Sequence, residues 1–369
     1  MSLSVSTEEF EHYEGEPDKK RLIATYRGEP VDRVPNFEVL IEDAHVKRIL
    51  GREAGNTLGI GGEVAKGAKA SEAVQRPMHP NDYIELCKKI GQDCICLECM
   101  WTPIRQVMEN GTIKSFNDRS LKSRKDLERI IWPGDEDIER VLFYVREYVE
   151  AVKETGIGVM LCGASMFQTL YEFVIGMHDC MIMTIEDPGL LEELLQRSAD
   201  YYERLFQRAI EEGIDILFLG DDLAYNRGLF VPLDTLKRIW RPAYERIMAP
   251  ALANGIPIKF HSDGKLDEAM DMFIEMGFSC INPLDPSGVD YRDYKRRYGH
   301  RVTLSGGIDL TFPLINGTPE DVEGFVKELC QVMKPGGRWE AGSTHSIVNY
   351  IPHENFITMI NAIHKYGRY

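Results

Sequence analysis

The sequence lacks any apolar run that approaches the roughly 20 residues needed to span a bilayer. Its first residues are polar and acidic, so they do not form the apolar core of a secretory signal peptide. Positive charge is also in short supply, because 43 Lys and Arg face 59 Asp and Glu and leave a formal net charge of −16. A field of that sign repels nucleic acids, anionic membranes and polyanionic substrates. We therefore expect a cytoplasmic protein that binds neither nucleic acid nor membrane.

Cysteine is sparse, with 8 in 369 residues, which predicts reduced thiols rather than a disulfide framework. Cys94 and Cys96 alternate along a predicted strand, so we interpret them as small apolar groups in a packed wall. Cys99 and Cys162 come closer to the strand ends, where a functional role stays open. The apolar fraction of 43% is sufficient for a sizeable core, and no internal repeat, Walker loop or dinucleotide-binding glycine pattern is present.

Short apolar segments alternate with long amphipathic ones. Eight segments have the composition of buried parallel strands, with Gly, Pro, Asp or Asn at their edges. They are Val34–Leu40, Asp93–Glu98, Gly158–Gly163, Asp215–Gly220, Pro257–His261, Phe278–Leu284, Arg301–Ser305 and Gly337–Ala341. Apolar residues at three- and four-residue spacing predict helices over Asp187–Gly213, Leu233–Asn254, Leu266–Met276 and Pro319–Met333.

This alternation predicts an α/β fold, a single (β/α)8 TIM barrel that occupies residues 1–369 with a helical N-terminal extension over 1–20. An open doubly wound sheet is the alternative. The glycine-rich stretch Gly51–Ser71 is predicted to be a long loop after the first strand, either a surface excursion or a lid over the barrel.

Active sites of such barrels lie at the C-terminal ends of the strands. Many polar residues lie at or shortly after the C-terminal ends of the predicted strands: Glu38, Glu42, Glu98, Asp221, Asp222, His261, Asp263, Asp285, Asp309 and His345. So many carboxylates at one mouth repel each other unless a metal, a cationic substrate or raised pKa values relieve the repulsion. The sequence therefore predicts a polar site with at least one of these three features.

We predict that His261, Glu98 and His345 hold a divalent metal, most simply zinc, with one position left open for a ligand. The competing interpretation is that His261 only hydrogen-bonds Asp263 and stabilises the rim. Asp222 and Asp263 are predicted as catalytic acids, although one of the pair Asp221 and Asp222 could instead cap a helix. Substrate binding is predicted for Glu38, Asp221 and Asp309.

Four segments of the chain resemble the uroporphyrinogen decarboxylase superfamily. They are Arg21–Pro35, Lys259–Gly264 (Lys-Phe-His-Ser-Asp-Gly), Ser305–Asp309 (Ser-Gly-Gly-Ile-Asp) and His345–Asn355. Together they resemble the entry helix and the fifth, seventh and eighth strand signatures of that superfamily. The resemblance runs from Lys20 to the C-terminus and implies the same barrel.

The resemblance implies two possible chemistries. Decarboxylases of this superfamily carry an arginine-rich segment after the first strand that holds the carboxylates of a tetrapyrrole, whereas Asn36–Asp43 is acidic here. Methyltransferases of the superfamily carry His-x-Cys at the fifth strand and a second Cys near the eighth, and these residues bind zinc. His261 matches that pattern, Asp263 replaces its Cys, and His345 lies near the second Cys position.

The favoured hypothesis is a corrinoid-dependent methyltransferase that demethylates a small methoxy or methylamine substrate. The methyl acceptor would be cobalamin bound to a partner corrinoid protein, and a homodimer is allowed. One alternative is a decarboxylase of uroporphyrinogen or of a smaller acid. Another is a carrier that binds a corrinoid or porphyrin without catalysis.

Overall fold

The computed structural model describes Phe10, Tyr13 and residues 16–57, 77–99 and 102–369. The predicted loop Gly51–Ser71 lies outside the described residues from position 58 onward, and so does most of the predicted extension over 1–20. Within the described ranges, no helix is both long and apolar enough to cross a membrane.

Seven parallel strands form one curved sheet, which confirms the predicted α/β barrel fold. They are β1 (Cys94–Cys99), β2 (Gly158–Gly163), β3 (Ile216–Gly220), β4 (Ile258–His261), β5 (Cys280–Asn282), β6 (Thr303–Ser305) and β7 (Trp339–Glu340). Each strand pairs in parallel with the next one along the chain. Their C-terminal ends therefore meet at one face of the barrel, and this is the face at which the sequence predicts the site.

The predicted first strand, Val34–Leu40, is not a strand in the structure. This segment pairs with the residue after β7 through an isolated parallel bridge between Asn36 and Ala341. On its other side, the Glu38 N–H donates to the Gln92 side chain (2.9 Å), and the Gln92 amide donates to the Cys94 carbonyl (2.9 Å). Pro35 has no N–H for a ladder. The Gln92 side chain thus bridges this segment and β1, where two neighbouring strands would hydrogen-bond directly through their backbones.

The helices surround the sheet. They are α1 (Lys19–Arg27), α2 (Asp43–Leu50), α3 (Pro80–Ile90), α4 (Asp135–Val152), α5 (Met166–Thr169), α6 (Met177–Glu186), α7 (Pro188–Glu212), α8 (Leu233–Ile239), α9 (Arg241–Ala253), α10 (Met270–Met276), α11 (Tyr291–Tyr298), α12 (Pro319–Met333) and α13 (His353–Tyr366). A 3-10 helix (Arg124–Arg129) and π-helical turns (Leu170–Val174 and Leu310–Ile315) lie between them. Short antiparallel strands are Arg105–Val107, Ile113–Ser115, Ile130–Ile131, Ala224–Tyr225 and Gly228–Leu229.

Local sequence explains the helix boundaries. Helix α7 begins at Pro188 after Asp187, whose carboxylate accepts from the Leu190 N–H, and it ends at Gly213, where φ is +105°. The predicted helix Leu233–Asn254 is two helices instead, because the chain breaks at Trp240 just before Pro242, which has no N–H to donate. The prediction for Pro319–Met333 is confirmed at both ends.

The barrel interior holds an ion pair among apolar and thiol groups. Lys259 and Glu340 are both 0% exposed, and their Nζ and Oε2 atoms lie 2.5 Å apart. Alternation along β1 points Cys94, Cys96 and Glu98 toward this interior. All eight cysteines are buried and unpaired, which agrees with the packing role expected for Cys94 and Cys96. Glu98, the last of the three along β1, lies nearest the mouth of the barrel.

Candidate functional site

A cavity of about 260 Å³ opens at the C-terminal ends of the strands. The residues that end β3, β4 and β5 all contribute to its wall, as do side chains from the segment after Pro35 and from the loop after β7. Its described lining is Phe37, Glu38, Val39, Leu40, Glu98, Ser165, Gln168, Phe218, Gly220, Asp222, His261, Asn282, Ser343, Thr344, His345 and Ser346. Five of the predicted site residues therefore line this cavity: Glu38, Glu98, Asp222, His261 and His345.

A chain of hydrogen bonds fixes the ring of His261. The Asn282 amide nitrogen donates to the Ser305 hydroxyl (3.0 Å), and Ser305 in turn donates to the buried Glu340. The Asn282 carbonyl oxygen therefore faces His261 Nδ1 at 2.7 Å and needs a donor there. This arrangement places the proton of neutral His261 on Nδ1. The lone pair of Nε2 is then free to bind a cation or accept a proton.

Two carboxylates face that free nitrogen. His261 Nε2 lies 3.9 Å from Asp222 Oδ1 and 3.7 Å from Asp263 Oδ1, and one ligand atom from each of the three residues falls within 4.8 Å of the others. Ligand atoms about 2.1 Å from a tetrahedral zinc ion are separated by about 3.4 Å. The observed separations need only a small contraction to hold such an ion. These three residues therefore fit a divalent metal.

The structure does not assemble the metal set expected from the sequence. Among the described residues, the cluster with metal-ligand spacing is Asp222, His261 and Asp263, and it includes neither Glu98 nor His345. His345 is close, since its Nε2 lies 4.0 Å from Asp263 Oδ2. Glu98 interacts with His261 only as a nearby charge. The reason is geometric: Asp222 follows β3, the immediate neighbour of β4, whereas Glu98 lies across the cavity on β1.

Asp222 and Asp263 are held in place by the protein. The Asp263 N–H donates to Asp222 Oδ1 (2.9 Å), and the Gln168 amide donates to Asp222 Oδ2 (3.3 Å). Tyr171 donates to the Asp222 carbonyl at 3.1 Å, which anchors the backbone as well. Burial raises the pKa of Asp263, and the nearby charge of His261 opposes that shift. Both carboxylates, predicted as catalytic acids, thus lie within 4 Å of His261 Nε2.

Glu38 lies at the other side of the cavity and is 2% exposed. Its Oε1 accepts from the Ser343 N–H (2.8 Å), and its Oε2 accepts from the Ser343 hydroxyl (2.5 Å). Burial raises the pKa of Glu38 to about 8 despite these bonds. Glu38 therefore links the segment after Pro35 to the loop after β7, and Ser343 already uses both carboxylate oxygens.

Asp221 and Asp309, predicted to bind substrate, make hydrogen bonds within their own part of the fold. The Asp221 carboxylate is fully buried and accepts hydrogen bonds from the backbone of Phe167 and Gln168 and from the side chains of Trp240 and Tyr244. Burial raises its pKa to about 7. The Asp309 carboxylate accepts from the Thr311 N–H (2.7 Å) and begins the turn that follows. Neither side chain is part of the described lining of the cavity.

Sequence reasoning missed two polar residues that shape the site: Gln168 and Asn282. Asn282 could have been found, because it is a polar residue near the end of the predicted strand Phe278–Leu284, which follows the strand that ends in His261. Gln168 carried no such signal, since it reaches Asp222 from a helix that follows β2.

Comparison with known proteins identifies the family. The model of the family described as uroporphyrinogen decarboxylase (URO-D) matches residues 97–366. The chain belongs to the uroporphyrinogen decarboxylase family.

Curated uroporphyrinogen decarboxylases are distant relatives of this chain. That of Actinobacillus pleuropneumoniae serotype 5b (strain L20) is 24% identical over 190 residues, and that of Methylococcus capsulatus is 26% identical over 188 residues. These alignments cover 50% and 49% of this chain, and 51% and 50% of the relatives. The chain thus spans about half the length of these relatives.

The fold of this chain is also shared with a solved protein of another description. A solved structure described as a methyltransferase from Methanosarcina mazei superposes with a TM-score of 0.66 at 16% identity. The match covers 95% of this chain and 99% of that one. At this identity the likeness establishes a shared fold, and the chemistry has to be argued from the cavity.

Proposed function

We propose that this member of the uroporphyrinogen decarboxylase family is a corrinoid-dependent methyltransferase that acts on a small methylated substrate. One observation carries the proposal: no Lys or Arg occurs among the described residues that line the cavity. Carboxyl groups take their place, at Glu38, Glu98 and Asp222. The shared fold with the methanogen methyltransferase supports the same conclusion.

The charge of the cavity argues against a porphyrinogen decarboxylase. Uroporphyrinogen carries eight carboxylates, and each of them needs a positive partner or a hydrogen-bond donor. A carboxylate that meets another carboxylate at contact distance costs on the order of 1 kcal/mol or more at the effective dielectric of a protein surface. Several such contacts would abolish useful affinity for the substrate. A neutral or cationic methylated substrate meets no such repulsion.

The metal site of the proposal consists of Asp222, His261 and Asp263, with His345 next to Asp263. Oxygen and imidazole ligands suit zinc or another divalent ion, which when bound would supply a Lewis acid for a methoxy oxygen. An alkylammonium nitrogen has no lone pair and would not coordinate the ion. The neighbouring side chains prepare the ligands. Asn282 fixes the ring of His261, and Gln168 orients the Asp222 carboxylate.

The reaction breaks the bond between the methyl carbon and its heteroatom. The electron pair of that bond stays on the heteroatom, and the methyl group takes a new electron pair from cob(I)alamin on the partner corrinoid protein. A methoxy leaving group departs as an alkoxide and takes its proton from solvent, because Asp263 in its ionised form would serve the site as a metal ligand. An ammonium leaving group departs as a neutral amine and needs none.

Substitution of the two acids tests this proposal. We expect Asp222→Asn and Asp263→Asn each to lower methyl transfer to cob(I)alamin by roughly two orders of magnitude, as for the loss of a positioned acid or ligand. Asp234→Asn, at an exposed helix position, is the matched control and should keep full activity. The assay follows the visible spectrum of the corrinoid.

Elemental analysis tests the metal separately. Protein purified without chelator should contain about one divalent ion per chain, and His261→Ala should lose it. Methyl transfer at the wild-type rate by metal-free protein would leave His261 with a structural or acid–base role only.

A further inference from the structure

Glu98 is the one carboxyl group on the described lining of the cavity whose chemistry the site leaves unused. It is 6% exposed, and its Oε2 has no hydrogen-bond partner among the described residues. Glu38, by contrast, is paired with Ser343, and Asp222 is held by Gln168 and the Asp263 backbone. A buried polar atom without a partner is costly, so such an atom in a cavity points to a missing ligand.

The surroundings of Glu98 indicate the charge of that ligand. Burial raises the pKa of Glu98 to about 7. The described lining offers no Lys or Arg to complete an ion pair. A cation in the cavity would supply the missing counter-charge, whereas an anion would add to the repulsion among the carboxyl groups.

Two aromatic rings line the same cavity as Glu98. Phe37 and Phe218 both line the cavity, and their rings lie 6.2 Å apart in an edge-to-face arrangement. The Lys259 ammonium already lies 3.8 Å from the centre of the Phe37 ring and 5.0 Å from that of Phe218, within the barrel interior. Both rings therefore already contact one cation, the Lys259 ammonium. Their surface toward the cavity is apolar and π-rich, which suits the alkyl groups of a ligand.

We propose that the cavity binds a small alkylammonium cation, with Glu98 as its counter-ion and Phe218 in contact with its methyl groups. The inference rests on the proposed function in taking this cavity as the substrate site, and it narrows the methylated substrate to an amine rather than a methoxy compound. The electron balance agrees with this choice, since an alkylammonium releases a neutral amine without a proton from the protein.

The test compares two ligands of the same shape. Choline carries a quaternary ammonium, and 3,3-dimethylbutan-1-ol replaces its nitrogen with carbon and has no charge. Calorimetric titration of the full chain, with chelator present so that no metal competes, should show choline bound at least roughly tenfold more tightly than the alcohol. Equal affinities, or no binding of choline, would overturn the proposal.

The variant Glu98→Gln keeps the shape of the side chain and removes its charge. It should bind choline at least roughly tenfold more weakly than wild type and lose the preference for choline over the alcohol. Glu29→Gln, at an exposed position, is the matched control and should bind as wild type does. A Glu98→Gln protein that keeps the preference would remove Glu98 from the assignment. If the variant does not fold, the two-ligand comparison on wild type still decides the charge requirement.

This experiment separates the two proposals. Choline binding that depends on Glu98 without methyl transfer would leave the cation site standing and the methyltransferase in doubt. Methyl transfer from a methoxy compound by protein that does not bind choline would support the methyltransferase and contradict the cation site.

Discussion

His261 depends on its neighbours for its chemistry. Its Nε2 faces Asp222 and Asp263 because Asn282 accepts the proton of Nδ1, and Asn282 is itself oriented by Ser305. Hydrogen bonds of this kind, one step removed from a ligand atom, commonly change metal affinity by factors of about 10 to 100. Asn282 is therefore a positioning residue that acts through His261.

Asn282→Leu should weaken zinc binding by roughly 10- to 100-fold, because the ring loses the acceptor that fixes its tautomer. Asn282→Asp keeps an acceptor at the same place and should retain binding. Titration against a chelator of known affinity measures both variants. Zinc bound as tightly by Asn282→Leu as by wild type would show that the hydrogen bond does not position His261.

The sequence predicts that Asp221 binds substrate, whereas in the structure its buried carboxylate accepts hydrogen bonds from neighbouring residues. A substitution can distinguish these two roles. If its carboxylate supports the fold, Asp221→Asn should lower the free energy of unfolding by about 1–3 kcal/mol, because an amide nitrogen would face donors from Phe167, Gln168, Trp240 and Tyr244. Denaturant unfolding measures the change. A variant of unchanged stability that had lost substrate affinity would favour the original prediction.

At the scale of elements, apolar runs located seven strands well and misjudged one. Residues 34–40 have strand-like composition, yet Pro35 removes one donor and the Gln92 side chain takes the Glu38 N–H. The apolar composition of residues 34–40 indicates only that the segment is buried, and a buried strand has the same composition. Ladder pairing depends on a partner distant in sequence, so the segment could not be distinguished from a strand beforehand.

Helices α2 and α13 meet at a buried pair of histidines. The Nδ1 atoms of His45 and His353 lie 3.0 Å apart with the rings stacked, and His45 Nε2 bonds the Val348 carbonyl (3.0 Å). Burial lowers the pKa of both, that of His353 to about 3. Because His45 Nε2 donates to that carbonyl, His45 Nδ1 accepts from His353 Nδ1, and a proton added to His45 Nδ1 would place two N–H groups against each other. The fold therefore disfavours protonation of the pair.

This pair predicts a loss of stability in acid. The unfolded chain takes up protons below its histidine pKa of about 6.5, and the folded chain cannot, so the free energy of unfolding falls as pH drops from about 6.5 toward 3. Each histidine contributes a slope of at most about 1.4 kcal/mol per pH unit. His353→Asn should flatten the profile by about one such slope, measured by urea unfolding at several pH values. His300→Asn, at an exposed position, is the control. If the stability of His353→Asn fell with pH as steeply as that of the control, the histidine pair would not be the cause of the loss of stability in acid.

For the whole molecule, the sequence was sufficient to predict the barrel and the face that carries the site. Both follow from strand–helix alternation and from the rule that parallel strands end at one face. The identity of the cooperating side chains could not follow from these rules. Asp221 and Asp222 are adjacent in sequence, yet the first is consumed by buried donors and the second faces His261. Only the packing of α5, α8 and α9 around them separates their roles.

The organisation of residues 1–369 as one domain and the possible homodimer remain predictions. The acidic character of the molecule does reach the cavity, since Glu38, Glu98 and Asp222 line it without a described Lys or Arg. Global charge and local lining thus both oppose a polyanionic substrate.

The central claim is that this barrel transfers methyl groups and does not decarboxylate a tetrapyrrole. The most direct measurement incubates the purified protein, in parallel, with uroporphyrinogen and with cob(I)alamin plus a panel of methylated amines and methoxy compounds. The account predicts a methylcobalamin spectrum with a methylated amine and negligible turnover of uroporphyrinogen. Efficient conversion of uroporphyrinogen to coproporphyrinogen, without methyl transfer from any member of the panel, would contradict it.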